Sequence, residues 1–111
     1  MLRLHGLGVR SARHGLDHVL ALDGELEMAN VVAIEDELRK VEATDCDSVV
    51  FDLRDLSFLD STGVHLLISA HARLTDHGRS VSLLVKDPGP VQRVLDVCGA
   101  FDILPRGVAA A

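Results

Sequence analysis

Two hydrophobic rhythms alternate along the chain. LGVRSA (7–12) and HVLAL (18–22) are short β-type runs separated by RHGLD, whose Gly15 and Asp17 suit a turn, so they predict a hairpin. Asp23-Gly24 is expected to stop its second strand. Over 29–43 the period changes: Val31, Ile34, Leu38 and Val41 recur at steps of three and four, with Glu35, Asp36, Arg39, Lys40 and Glu42 on the other faces. That spacing predicts an amphipathic helix with one side against a sheet. SVVFDL (48–53) is nearly all apolar until Asp52, as expected of a strand covered on both faces. A connection, LRDLSFLD, leads to Ser61, and the pattern is helical from there to His77, with Gly78 placed for a left-handed cap.

SVSLLV (80–85) predicts the next strand and KDPGP a loop, with Pro90 suited to a first helical position. Val91, Val94, Leu95 and Cys98 trace a third helix that Gly99 ends. FDIL (101–104) offers a last short strand, and residues 106–111 are expected to form a disordered tail. The predicted order is β-β-α-β-α-β-α with an optional terminal strand. Alternating strands and helices call for an α/β fold with a mixed sheet, the hairpin supplying its antiparallel part. With 111 residues, neither a repeat nor a linker, the chain is expected to be one domain with its core over about 7–105.

Composition narrows the function. Hydrophobic residues make up 48% and charged residues 25%, as in ordinary globular proteins, and the only aromatics are three Phe. Eleven Lys and Arg against 17 Asp and Glu give a formal charge of -6, which disfavours direct nucleic-acid binding. No apolar stretch has the length of a membrane-spanning helix, and MLRLHGLGVRSAR is a poor signal peptide, so a cytoplasmic protein without membrane insertion is expected. Cys46 and Cys98 lack CxxC spacing and read as small hydrophobes, with a regulatory disulfide between them as the lesser alternative. His65, His71 and His77 are six apart and fan around a helix rather than converging on a metal.

The segment FLDSTGVHLL (58–67) places Asp60, Ser61, Thr62 and Gly63 between two apolar runs. Read locally, Asp60 or Ser61 is a helix cap. The same residues also describe a place where a phosphate is tolerated, because free N–H groups and the positive end of the helix dipole meet there. Gly63 in the first turn allows close approach of a neighbouring group. A serine hydrolase using Ser61 and His65, with Asp23 or Asp52 as orienting acid, lacks a GxSxG elbow. A receiver domain phosphorylated on Asp52, with Lys86 after the next strand, lacks the second early acid needed to hold its metal. No catalytic residue, cofactor or metal is therefore expected.

LALDGELEMANVVAIEDEL, VVFDLRDLSFLDSTGVHLL and VSLLVKDPGPVQRVLDVCGAFDILP, in this order, resemble the STAS family, specifically the bacterial anti-sigma-factor antagonists. The resemblance spans about Leu7 to Pro105. Its most specific parts are Gly-Glu-Leu after the second strand and Asp-Leu followed at fixed distance by Asp-Ser-Ser/Thr-Gly. It implies that Ser61 is the phosphorylated serine, Thr62 the second hydroxyl, and Asp60 the residue that shapes the site. It also implies that Asp23 lies in a loop beside the serine and takes part in partner binding with Asp60, Ser61, Thr62 and Gly63. The implied partners are an anti-sigma factor that is also an ATP-dependent serine kinase, and a metal-dependent serine phosphatase. The unphosphorylated protein, a monomer or weak dimer, would bind the kinase and release its sigma factor; phosphate on Ser61 would break the complex. Two departures stand out: Glu27 where the family often has Asp, and a C-terminus too short for the further helix of many members. The same resemblance covers STAS subunits that dock on transport ATPases, including lipid-transport ATP-binding-cassette complexes, and stress-sensing assemblies. A neighbouring kinase or transporter gene separates these readings.

Overall fold

The computed structural model describes residues 2–107, with side chains from residue 5 onward. Its strands are β1 (Leu2–Leu4), β2 (Leu7–His14), β3 (Asp17–Leu26), β4 (Ser48–Leu59) and β5 (Ser80–Leu84). The helices are α1 (Val31–Glu42), α2 (Ser61–Asp76) and α3 (Pro90–Val97), followed by a 3-10 turn over Ala100–Asp102. The sheet runs β1-β2-β3-β4-β5, antiparallel across the first three strands and parallel from β3 to β5. The mixed α/β sheet with an antiparallel hairpin edge matches the expectation.

β4 is not covered on both faces. Val49, Phe51 and Leu53 are buried, while Ser48, Val50 and Asp52 are half-buried. The steps β3-α1-β4-α2-β5 all move across the sheet in one direction, and right-handed crossovers that move one way place their helices on one face. The core is accordingly one cluster. Leu20, Leu22, Phe51 and Leu83 of the sheet join Ile34 and Leu38 of α1, Leu67 and Leu74 of α2, and Leu95 of α3. Fully burying a side chain of this size stabilises the fold by about 1.5–3 kcal/mol.

Besides the edge strand β1, which the sequence reading lacks, three other elements differ from it. The strand does not stop at Asp23-Gly24: β3 continues to Leu26 through two register shifts against β4. LRDLSFLD is not a connection but mostly strand, because β4 continues to Leu59 and pairs only with β3 after β5 has ended at Leu84. FDIL forms no strand; Gly99, in the left-handed region at φ 71°, turns the chain into the 3-10 segment, which buries Ala100. The sheet gains its last contact further on, where Leu83 N–H donates to Pro105 O at 2.9 Å and Gly107 N–H to Leu83 O at 2.7 Å. Arg106, expected in a disordered tail, bridges to Leu83, stacks 3.8 Å above the Phe101 ring and meets Asp87 at 2.9 Å. The rest of that expected tail, 108–111, lies outside the described residues.

Candidate functional site

The carboxyl ends of β3 and β4 carry a compact assembly built on Asp60. Asp60 is the N-cap of α2, with extended backbone, and its Oδ1 accepts from Gly63 N–H at 2.9 Å. This satisfies one of the orphan donors of the first helical turn. The other carboxylate oxygen, Oδ2, accepts from Met28 N–H at 3.3 Å, and Asp60 N–H donates to Leu26 O at 3.3 Å. One side chain thus joins the start of α2 to the loop between β3 and α1. Val64 N–H donates to Asp60 O at 3.0 Å and closes the first turn.

Ser61 is the first residue of α2 and is exposed, Thr62 is half-buried and Gly63 is buried. A β-carbon on Gly63 would lie 2.5 Å from Leu59 Cδ1 and 3.2 Å from Leu26 O. The glycine therefore allows α2 to start directly against the ends of β3 and β4. His65, one turn after Ser61, is exposed.

The neighbouring loop is held by Asn30, a polar side chain only 2% exposed. Its Nδ2 donates to His5 O at 3.1 Å and Glu25 O at 2.8 Å, while its Oδ1 accepts from Glu27 N–H at 3.0 Å. Full pairing is what makes such burial tolerable. Beneath it, His5 and Gly6 form the β1–β2 turn with φ 48° and 83°, and Glu25 N–H donates to Gly6 O at 3.1 Å. Gly24 sits at φ 90°, where a β-carbon would collide with Gly6 O. Held this way, the loop leaves Met28 75% exposed, and Val32 in the first turn of α1 is 66% exposed. Both were missed in the sequence reading. The available signal was a Met and a Val on the helix flank outside the Val31, Ile34, Leu38, Val41 stripe.

Asp23 is not in a loop. It is a half-buried residue inside β3, in register with Gly8 of β2 and Asp55 of β4. A β-carbon on Gly8 would collide with its carboxylate. Asp23 precedes Leu26 by three residues, which places it about 10 Å back along the strand at the usual rise. There it lines a small cleft with Arg10, Ala21, Leu22 and Asp55. The fold thus gathers Asp60, Ser61, Thr62 and Gly63 at one point and sets Asp23 further down the same strand pair.

Other sequence candidates lie elsewhere. Asp52 does not end its strand; it is held by Arg54 through two contacts of 2.9 and 2.8 Å, and the hydrogen-bonded guanidinium keeps its carboxyl below the usual range. His77 caps α2 with its Nδ1 2.8 Å from Arg73 O, and no group of three or more residues suited to a metal occurs among the described residues. Both cysteines are free: Cys46 is buried with its Sγ 3.6 Å from an Arg79 nitrogen, and Cys98 is exposed at the end of α3. No described helix is long and apolar enough to cross a membrane.

The family model of the STAS domain matches residues 10–109. The anti-sigma-F factor antagonist RsfB of Mycobacterium tuberculosis is 31% identical over 77% of this chain and 67% of its own. Among solved structures, an anti-sigma factor antagonist from Mycobacterium paratuberculosis superposes with a TM-score of 0.83 at 21% identity, covering 93% of this chain and 86% of that one. The Bacillus cell fate determinant SpoIIAA in its phosphorylated form gives 0.68 at 22% identity, covering 91% and 92%. A mixed sheet with helices on one face, a capped helix start at its carboxyl edge and a match over nearly the whole length lead to one assignment: the chain belongs to the STAS domain family.

Proposed function

We propose that this protein is an anti-sigma-factor antagonist whose binding surface is the Asp60–Gly63 helix start together with Met28 and Val32. Unmodified, it binds an anti-sigma factor that is also a serine kinase, and the sigma factor is released. Phosphorylation of Ser61 ends that complex, and a serine phosphatase restores it. The partners place this cycle in the cytoplasm. The protein serves as substrate for both enzymes and catalyses neither step.

The observation that carries the reading is an exposed serine at the first position of a long helix, whose cap Asp60 also holds the loop of the exposed Met28, with Val32 exposed in the first turn of α1. Ser61 is free to meet a kinase, whereas Asp60 and Gly63 are committed to holding the helix start in place. Met28 and Val32 supply the apolar contact that a docked partner desolvates. A phosphate on Ser61 adds between one and two negative charges to that surface. Burying such a charge without a partner costs several kcal/mol, and a penalty of about 3 kcal/mol weakens binding roughly a hundredfold.

The test is retention of partners from native lysate by wild type and Ser61→Asp side by side, with bound proteins identified by mass. Wild type is expected to retain an ATP-binding serine kinase that the acidic variant loses. Equal retention of a transporter's ATPase by both proteins would instead make the domain a docking subunit and Ser61 an ordinary cap residue.

A further inference from the structure

At the opposite end of the sheet, a histidine is buried without a full set of partners. His18, the second residue of β3, is 9% exposed, and its Nε2 lies 2.5 Å from Ser11 Oγ on β2. Its Nδ1 is buried and has no hydrogen-bond partner. The neutral ring with its proton on Nε2 fits this setting, since a bare Nδ1 costs less to bury than a donor with nowhere to donate. Adding a proton to Nδ1 creates both a buried charge and an unpaired donor.

The charged groups around it offer no compensation. Arg13, its register partner on β2, is a cation that pairs with Asp45 at 2.6 Å. Arg79 acts on the same Asp45, and its guanidinium is spent on the carbonyl oxygens of Val41, Glu42 and Thr44. On β4 the register partner is Val49, which is apolar. Burial, with Arg13 second, holds the imidazole below its ordinary value, so the ring is neutral near pH 7. Arg13 holds the Asp45 carboxyl low as well, so that pair does not titrate in the same window.

This histidine stands beside a docked corner. Leu16 O, in the β2–β3 turn, accepts from Asp47 N–H at 2.7 Å and Ser48 N–H at 3.3 Å, and Ser48 Oγ donates to Asp17 Oδ1 at 2.5 Å. The hairpin tip and the α1–β4 loop are thus tied together across the residues that flank His18.

We propose that the Ser11–His18 pair is an acid-sensitive latch: protonation of His18 releases the β2–β3 hairpin tip from the α1–β4 loop while the Ser61 end of the sheet stays folded. The latch is independent of what Ser61 does and of the partner that binds there.

Hydrogen exchange of the full chain between pH 7.5 and 5, corrected for the intrinsic pH dependence of exchange, tests it. The amides of Asp47 and Ser48 report the latch, and the amide of Val64, bonded to Asp60 O, reports the other end. Below about pH 6.5, protection of Asp47 and Ser48 is expected to fall by up to about tenfold per pH unit while that of Val64 holds. In His18→Leu the pH dependence should vanish. Should that variant not fold, an NMR titration of the wild-type imidazole decides: its midpoint must lie below about 6.5, at the pH where the loss of protection levels off. Flat protection of Asp47 and Ser48, an equal loss at Val64, or pH dependence surviving in His18→Leu would each overturn the latch.

Discussion

The two ends of the parallel strands are built on opposite solutions to the same problem. At the carboxyl ends of β3 and β4, the side chains of Asp60 and Asn30 spend their oxygens and amide on backbone, leaving Ser61, Met28 and Val32 exposed. At the amino ends, carbonyl oxygens are gathered inward by Arg79 and a histidine is buried with one nitrogen unpaired. The first end is backbone tied by side-chain hydrogen bonds, presenting an exposed serine. The second is a closed joint with a titratable weak point. A fixed display surface suits binding, because little has to be ordered when a partner arrives.

Substitutions can break each end separately, and their costs should rank. Gly24→Ala is expected to be the most damaging, at about 3 kcal/mol or more by denaturant unfolding, because it combines φ 90° with a collision against Gly6 O. A loss below about 1 kcal/mol would mean that the β1–β2 turn moves freely and that the display end is less firmly held than described. Arg79→Met follows at about 2 kcal/mol, since three carbonyl oxygens at the end of α1 lose a charged donor. Partner retention at Ser61 should be unchanged in that variant. Coupled loss of binding would show that the two ends are not independent.

Asp60→Ala removes the cap and should cost about 1 kcal/mol, with binding weakened because the Met28 loop loses its tether. Asp60→Asn keeps the capping oxygen and should recover most of that stability, which distinguishes the geometry of the site from its charge. The smallest effect belongs to the open face of the sheet. Asp52 is held below its ordinary range in the folded state, so the unfolded chain binds the extra proton and stability rises with pH. Its share is complete above about pH 4 and is lost as pH falls through the folded value. Arg54→Ala should abolish that acid-range component and change stability near pH 7 by no more than about 0.5 kcal/mol, as expected of an exposed pair.

What could be read from the chain was local. The stripe Val31, Ile34, Leu38, Val41 determined α1 and its buried side, because a helix shows its periodicity within a dozen residues. Gly78 and Gly99 ended their helices at φ 74° and 71°, as their position after the last apolar residue announced. The Asp-Ser-Thr-Gly stretch marked the helix start that carries the candidate site. The burial of Gly63 and the double role of Asp60 stayed hidden, since Leu26 and Met28 lie far away in sequence.

Tertiary structure decided the rest. An apolar run such as SVVFDL looks alike whether helices cover one face or two, and only the direction of successive crossovers made this a two-layer sheet. The extension of β4 to Leu59 depended on β3 bending through two register shifts to stay paired with it. Asp23 became a strand residue for the same reason, and His18 was buried on the core-facing side of β3 beside the corner where the hairpin tip meets the α1–β4 loop. Sequence determined the three helices, the central stretches of β2 to β5 and where the exposed serine stands, for those follow from neighbours in the chain. Which polar groups meet, and which histidine is left half-satisfied, follows from contacts between segments that exist only once the sheet has closed.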